Sequence, residues 1–321
     1  MATILFIKTS SLGDVIHHMP ALAEARRHLP DAHLAWVVEE AFASLVRLHP
    51  AVDAVVPVAS RRWRHALLHG ATWREGRAFL RSMRARAYDE IIDTQGLLRS
   101  AVISRLARGR RHGYDAASIR EPLAARFYDV RHQVSRDLHA IERNRTLTGR
   151  VLGYAPAGEL DFGLDRTMLA SAAADPPYAI LLHATARPEK QWPEERWIVL
   201  GRELATRGRL ELIVPWGTEI EHQRSERIAA GIPGARVPAG QPLDQVARQI
   251  AGAQFVIGVD TGLLHLAAAL SVPLVGIFVG SEPGLTGPVG RGPIAVVGRK
   301  GAAPRVEDVL GAFDRLKTEA S

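Results

Sequence analysis

Thr3-Ile4-Leu5-Phe6-Ile7-Lys8 runs directly into Thr9-Ser10-Ser11-Leu12-Gly13-Asp14, an apolar, strand-like run followed by a polar, glycine-containing turn and a helical pattern. This is the opening of a βαβ unit, and it puts the turn at the carboxyl end of a strand, where open α/β sheets hold their ligands. His33 to Val38, Ala54 to Val58 and Glu90 to Thr94 are further β-rich runs, separated by helical patterns such as Met19 to His28 and Leu97 to Ala107. The alternation predicts a parallel sheet.

Around Val151 to Pro177 the pattern loosens into Gly, Pro, Asp and Ala, after a helix expected from about His132 to Leu152. The rhythm then restarts. Tyr178 to His183, Leu210 to Val214, Phe255 to Val259 and Leu274 to Phe278 are continuous apolar runs, as strands covered on both faces require. Helical stretches at Glu194 to Arg207, Glu219 to Ala230 and Leu243 to Ala251 separate them. The expected architecture is α/β, with two Rossmann-like doubly wound parallel-sheet domains, 1–160 and 161–321, facing across a cleft. The C-terminal helix is expected to pack back on the first domain.

Composition narrows the function. A chain of 321 residues with 47% hydrophobic content builds folded domains rather than a disordered tract. The absence of Cys excludes disulfides, thiolate zinc sites and Cys nucleophiles. The apolar run Ile4 to Ile7 is too short for a signal-peptide core, so a cytoplasmic chain is expected. Leu263 to Gly280 is interrupted by His265, Ser271 and Pro273, and reads as buried helix, turn and strand rather than a membrane span.

Charge is unevenly spread. Residues 1–150 hold 24 Arg and Lys against 15 Asp and Glu, a net +9, whereas 151–321 hold 17 against 19, a net −2. Between residues 51 and 150 there are 20 Arg and no Lys, which points to an anionic partner with phosphate or carboxylate groups that suit a planar guanidinium. Codon bias accounts for Arg over Lys, 37 to 4 in the whole chain, but not for the asymmetry in net charge.

Four strand-end loops carry candidate chemistry. Asp14 either takes a proton from an acceptor hydroxyl or caps the helix that follows. Its turn has no phosphate-loop or dinucleotide glycine fingerprint, which disfavours kinase and dehydrogenase readings. In Val259-Asp260-Thr261-Gly262-Leu263-Leu264-His265, free amides and the Thr261 hydroxyl suit a diphosphate at a helix start, or form an ordinary cap. His183 to Pro193 contains Lys190, one of only four lysines, a point cation suited to a diphosphate leaving group. Pro215 to Glu221 offers Glu221 to ribose hydroxyls. Arg61-Arg62-Trp63-Arg64 and Arg120-Glu121-Pro122 have no nucleic-acid motif beside them and favour an anionic small molecule or lipid. His17-His18 are adjacent and do not share a helix face, so no metal site is expected.

Taken together, these segments resemble the lipopolysaccharide heptosyltransferases along nearly the whole chain. The likeness includes Lys8 to Val15, Trp36-Val37-Val38-Glu39-Glu40, Arg61 to Arg64, Asp93-Thr94-Gln95-Gly96-Leu97, Arg120 to Ala124, Trp192-Pro193-Glu194-Glu195 and Val259 to Gly262. It implies a GT-B fold with the acceptor at the N-terminal domain and ADP-heptose at the C-terminal one. By position, Asp14 matches the catalytic base and Lys190 a phosphate-contacting lysine. Thr185, Glu221, Asp260, Thr261, Gly262, Leu263 and His265 fall at donor positions, and Ser10, Gly13, Arg61, Arg62, Arg64, Gln95 and Arg120 at acceptor positions. The implied reaction moves L-glycero-D-manno-heptose from ADP-L-glycero-β-D-manno-heptose to Kdo2-lipid A with inversion. No cofactor, metal or nucleic acid is implied, and contact with the inner-membrane surface is transient. The alternatives are the enzyme adding the second heptose and a non-catalytic nucleotide-sugar or anionic-lipid binder. Ala186 and Ser281-Glu282-Pro283 depart from the family's commoner residues and bear on donor contacts.

Overall fold

The computed structural model describes residues 1–66, 68–170 and 176–319, so 171–175 of the expected linker lie outside the described residues. The chain divides into two compact units, Met1–Gly163 and Leu164–Ser321, three residues later than the boundary read from composition.

The first unit holds six parallel strands: β1 (Thr3–Ile7), β2 (His33–Glu39), β3 (Ala54–Val58), β4 (Ala87–Asp93), β5 (Arg108–Tyr114) and β6 (Val130–His132). Their order is β3-β2-β1-β4-β5-β6, which makes β1 the turning point of the topology. Ile7 pairs with both Val37 and Asp93, so the loops after β1 and β4 leave the sheet side by side. Leu5, Ile7, Val37, Val56 and Ile91 bury one face of the sheet against Phe79 and Met83 of the helix Gly70–Arg84. Phe6 and Trp36 point the other way, onto His18. On that side the helices Met19–His28 and Ala140–Leu152 are tied by a buried ion pair: Arg145 Nη2 and Nε meet the two Glu24 oxygens at 3.0 and 3.1 Å. The amide of Ala157 also donates to Glu24 Oε1 at 3.0 Å. A buried carboxylate is tolerable only with this degree of pairing.

Three strands were not apparent in the sequence. β5 reads Arg-Gly-Arg-Arg-His-Gly-Tyr, too polar for an apolar pattern, yet its groups find partners on adjoining segments. Arg111 bonds Asp129 at 2.9 Å and His112 bonds Glu90 at 2.5 Å. β6 has only three residues, and His132 belongs to it, so the helix expected from His132 begins at Ala140, with the His139 side chain accepting from the Ile141 amide.

The second unit holds β7 (Tyr178–Leu182), β8 (Glu211–Ile213), β9 (Phe255–Val259), β10 (Leu274–Phe278) and β11 (Ile294–Gly298, the third unforeseen strand), all parallel in the order β11-β10-β9-β7-β8. Here β7 is the turning point, and Leu182 pairs with Gly258. The C-terminal helix is Val306–Glu319. Its Val309, Leu310 and Phe313 are buried in the second unit's own core, with Phe313 against Phe255 at 4.9 Å.

Burial depresses the His18, His49 and His183 imidazoles, the last two to about 4. The unfolded chain binds protons that these folded rings refuse. Stability is therefore full at neutral pH and falls as pH drops from about 6.5 towards 4. His49 and His183 each contribute about 3 kcal/mol to that slope at ~1.4 kcal/mol per pH unit. Urea midpoints measured from pH 7 to 4.5 should fall steeply, and less steeply in His49→Gln. A flat wild-type profile would contradict this.

Candidate active site

At the end of β1 the chain turns through Lys8 to Ser11 into the short helix Leu12–Ile16. Asp14 occupies its third position and Oδ2 accepts from the Ser11 amide at 2.8 Å and the Ser11 hydroxyl at 3.1 Å. The other oxygen, Oδ1, lies 4.0 Å from the Lys8 ammonium, and the carboxylate is 39% exposed. Oδ2 is thus committed to the helix start, and Oδ1 is left beside Lys8.

Lys8 is buried, and its Nζ donates to the Thr94 carbonyl at 2.9 Å. Burial pulls this ammonium below its ordinary value, against the opposing pull of Asp14 and Asp93. Asp93, fully buried, is pushed up by burial, while the Tyr128 hydroxyl at 2.7 Å and the Gln95 amide at 2.9 Å oppose the shift. Gly96 follows with φ +69, and a Cβ there would meet Ile119 at 3.0 Å, so this turn requires glycine.

Ser10 and Gln95, expected at the acceptor, hold the loop itself. The Gln95 side-chain carbonyl accepts from the Thr9 and Ser10 amides at 3.0 and 3.1 Å, and Arg99 donates to the Ser10 hydroxyl at 2.9 Å. Gly13 lies within the helix, its carbonyl accepting from the His17 amide. The arginines separate into different environments. Arg62 makes two bonds of 2.9 Å to Glu40 and an ion pair of 2.9 Å to Glu75. Arg61 lies 5.7 Å over the Phe42 ring, and Arg64 is exposed. Arg120 is exposed beside Glu121, whose carboxylate accepts from the Leu98 amide at 2.6 Å at the start of the helix after β4.

In the second unit, the loops after β7 and β9 meet at Asp260. Lys190 Nζ and Ser281 Oγ both lie 2.5 Å from Asp260 Oδ2, and His265 Nε2 is 3.8 Å from Oδ1. Thr185 Oγ1 donates to the Asp260 carbonyl at 3.1 Å. Burial alone would raise the Asp260 carboxyl, but bonds from His265, Lys190 and Ser281 outweigh it and hold the group well below the usual carboxylate range. Thr261 stands at the N-cap position of the helix Gly262–Ala269 without a side-chain cap bond, and Leu263 is half-buried in its first turn, so this helix start keeps the amide-rich character that suits an anion. A Cβ on Gly280 would lie 2.5 Å from the Glu189 carbonyl, a close approach that seats the loop carrying Lys190. Glu221 Oε2 accepts from the Gly217 and Thr218 amides at 2.9 Å each, as a helix cap, and these bonds leave its second oxygen uncommitted. Among the described residues, no three His, Asp or Glu side chains gather as a metal site.

Lys8, Arg99 and Ser281 were not picked out from the sequence as site residues. The scarcity that singled out Lys190 applies equally to Lys8, one of the same four lysines. At the departing Ser281 the hydroxyl bonds Asp260.

Two parallel-sheet α/β units, each with polar loops at its topological turning point, match the GT-B architecture of glycosyltransferases. The chain belongs to glycosyltransferase family 9 (heptosyltransferase), whose family model matches residues 76–310. It is 43% identical over 291 residues to lipopolysaccharide heptosyltransferase 1 of Escherichia coli (strain K12), covering 90% of this chain and 91% of that one. It is 44% identical over 290 residues to the Pseudomonas aeruginosa protein of that name, covering 90% and 81%. The structure of E. coli heptosyltransferase WaaC with ADP matches with a TM-score of 0.87 at 38% identity, over 99% of this chain and 100% of that one.

Proposed function

We propose that this chain transfers L-glycero-D-manno-heptose from ADP-heptose to a Kdo hydroxyl of Kdo2-lipid A, with inversion, at the cytoplasmic face of the inner membrane. What carries the reading is the Asp260 constellation in a chain matched over nine-tenths of its length by relatives named lipopolysaccharide heptosyltransferase 1. Asp14 Oδ1 takes the acceptor proton as the hydroxyl oxygen attacks the anomeric carbon. The anomeric C–O bond to the diphosphate breaks on the opposite face, and ADP departs with the electron pair. Lys190 and the first amides of the helix Gly262–Ala269 meet the charge that grows on the diphosphate, with no metal in the scheme.

The test is ADP release. With both ADP-heptose and Kdo2-lipid A, release should be sustained in excess chelator, and neither substrate alone should support it. Strict dependence on added Mg²⁺ would overturn the leaving-group assignment. Release only from an acceptor already bearing one heptose would shift the reading to the second enzyme, and no release would leave a binding protein.

The basic helix refines the acceptor side. Arg61→Gln with Arg64→Gln should raise the acceptor Michaelis constant and leave the donor constant unchanged. The expected increase is a few-fold to tens-fold, because exposed charge-assisted contacts are worth about 0.5 to 1.5 kcal/mol each. Arg62→Gln should instead loosen the Glu40 and Glu75 contacts, visible as a lower melting temperature rather than a selective kinetic effect. Steady-state kinetics with each substrate varied separates these outcomes, and equal loss on the donor side would refute the assignment.

A further inference from the structure

The helix Gly70–Arg84 buries Phe79 and Met83 and turns a different chemistry outward. Arg74, Arg77, Arg81 and Arg84 recur at intervals of three, four and three residues, which sets them on one face, and all four are exposed. None makes a hydrogen bond or ion pair with a described residue, and the helix's sole acid, Glu75, is engaged by Arg62 and Trp63. At the amino-terminal end the chain exposes Trp73 (62%) and, just before the helix, Leu68 (98%). A solvated basic face accounts for the arginines but not for an indole and a leucine displayed beside them.

We propose that this face docks on the surface of an anionic phospholipid bilayer, guanidinium groups at the lipid phosphates and Trp73 with Leu68 at the level of the headgroups. Arginine beside tryptophan is the pairing expected at such an interface, where each basic residue adds electrostatic attraction and the indole sits half in and half out of water. A soluble polyanion would be met by the arginines alone. Position supports the assignment. The helix ends at Arg84, just before β4 begins at Ala87, and β4 runs parallel to β1, so the helix's carboxyl-terminal end lies at the starting edge of the sheet and its amino-terminal end towards the carboxyl edge, the edge that also carries the Asp14 loop. Docking at that end brings the loop towards a lipid-borne acceptor. The inference deepens the reading given above, since it concerns how a lipid-linked acceptor is reached, but its measurement needs no sugar.

Co-sedimentation of the full chain with vesicles of equal parts phosphatidylglycerol and phosphatidylcholine tests it. Binding should be clear at low ionic strength, weaken with added salt, and be absent with phosphatidylcholine alone. Replacing the four arginines by Gln should weaken it on the order of a thousandfold. Trp73→Phe should remove most of the tryptophan quenching by brominated lipid. ADP release with a water-soluble Kdo acceptor should stay at the wild-type value in both variants, and the melting temperature in the quadruple variant. Wild type that ignores anionic vesicles overturns the proposal, as does a quadruple variant that binds as wild type does. Wild type that binds heparin but not vesicles also overturns it and makes the face a site for soluble polyanions. Vesicle binding without ADP release from any acceptor would leave the docking face standing and refute the transferase reading instead.

Discussion

Asp14→Ala should lower turnover by roughly 10²- to 10⁴-fold, the range for loss of a general base, while ADP-heptose still binds. The alanine change alone does not separate the two roles of this side chain, because it also removes the bond from the Ser11 amide to Oδ2. Asp14→Asn does separate them. Its amide oxygen can still accept from Ser11, so the helix start and melting temperature are kept, but an amide takes no proton from a hydroxyl. The expected result is an Asn variant as slow as the Ala variant to within about tenfold, and as stable as wild type to within about 1 kcal/mol, the usual value of a helix cap. An Asn variant with near-normal turnover would reduce Asp14 to a cap.

Lys190→Ala should cost about 10²- to 10³-fold in turnover, the scale of removing one preorganised group facing developing charge. Donor affinity should fall as well. Without the ammonium, Asp260 remains an anion where a diphosphate is to bind, and like charges would then share a partly buried place. Asp260→Asn in the Lys190→Ala background should therefore recover part of the lost ADP affinity, even though Asp260→Asn alone weakens the site. Calorimetric titration of ADP against the two single variants and the double variant gives the coupling directly. Additive losses would show that Lys190 and Asp260 do not act on one ligand. Lys190→Arg should restore little, since the loop is closed against the Gly280 backbone and a forked cation needs more room than a point charge.

The sequence was most legible where burial is two-sided. β1, β2, β9 and β10 are covered on both faces, so continuous apolar runs marked them within a residue or two, and β3, half-exposed along part of its length, was still framed by clear turns. β5 was hidden because its polar side chains are satisfied by Asp129 and Glu90 on adjoining segments, a tertiary pairing without periodicity. At the candidate site, strand-end position and residue type singled out Asp14, Lys190 and Asp260, and the structure brings the last two together. Those signals do not tell a ligand contact from a brace. Gln95 and Ser10 belong to the loop's own scaffold, and Arg62 carries a charge already answered by two carboxylates, because which groups are free depends on neighbours distant in the chain.

The Glu24–Arg145 pair also bears on the order in which the first unit can be completed. As the chain leaves the ribosome, β1 emerges first yet lies in the middle of its sheet, and Glu24 waits for a partner 121 residues further on. At roughly 5 to 20 residues per second, that interval is on the order of ten seconds. Throughout it, the helix Met19–His28 has a carboxylate that cannot be buried at low cost, so the nascent segment stays hydrated and open at that helix. Closure is deferred until Arg145 and then the amide of Ala157 arrive, which makes synthesis of the unit's last helix the event that commits the helix Met19–His28.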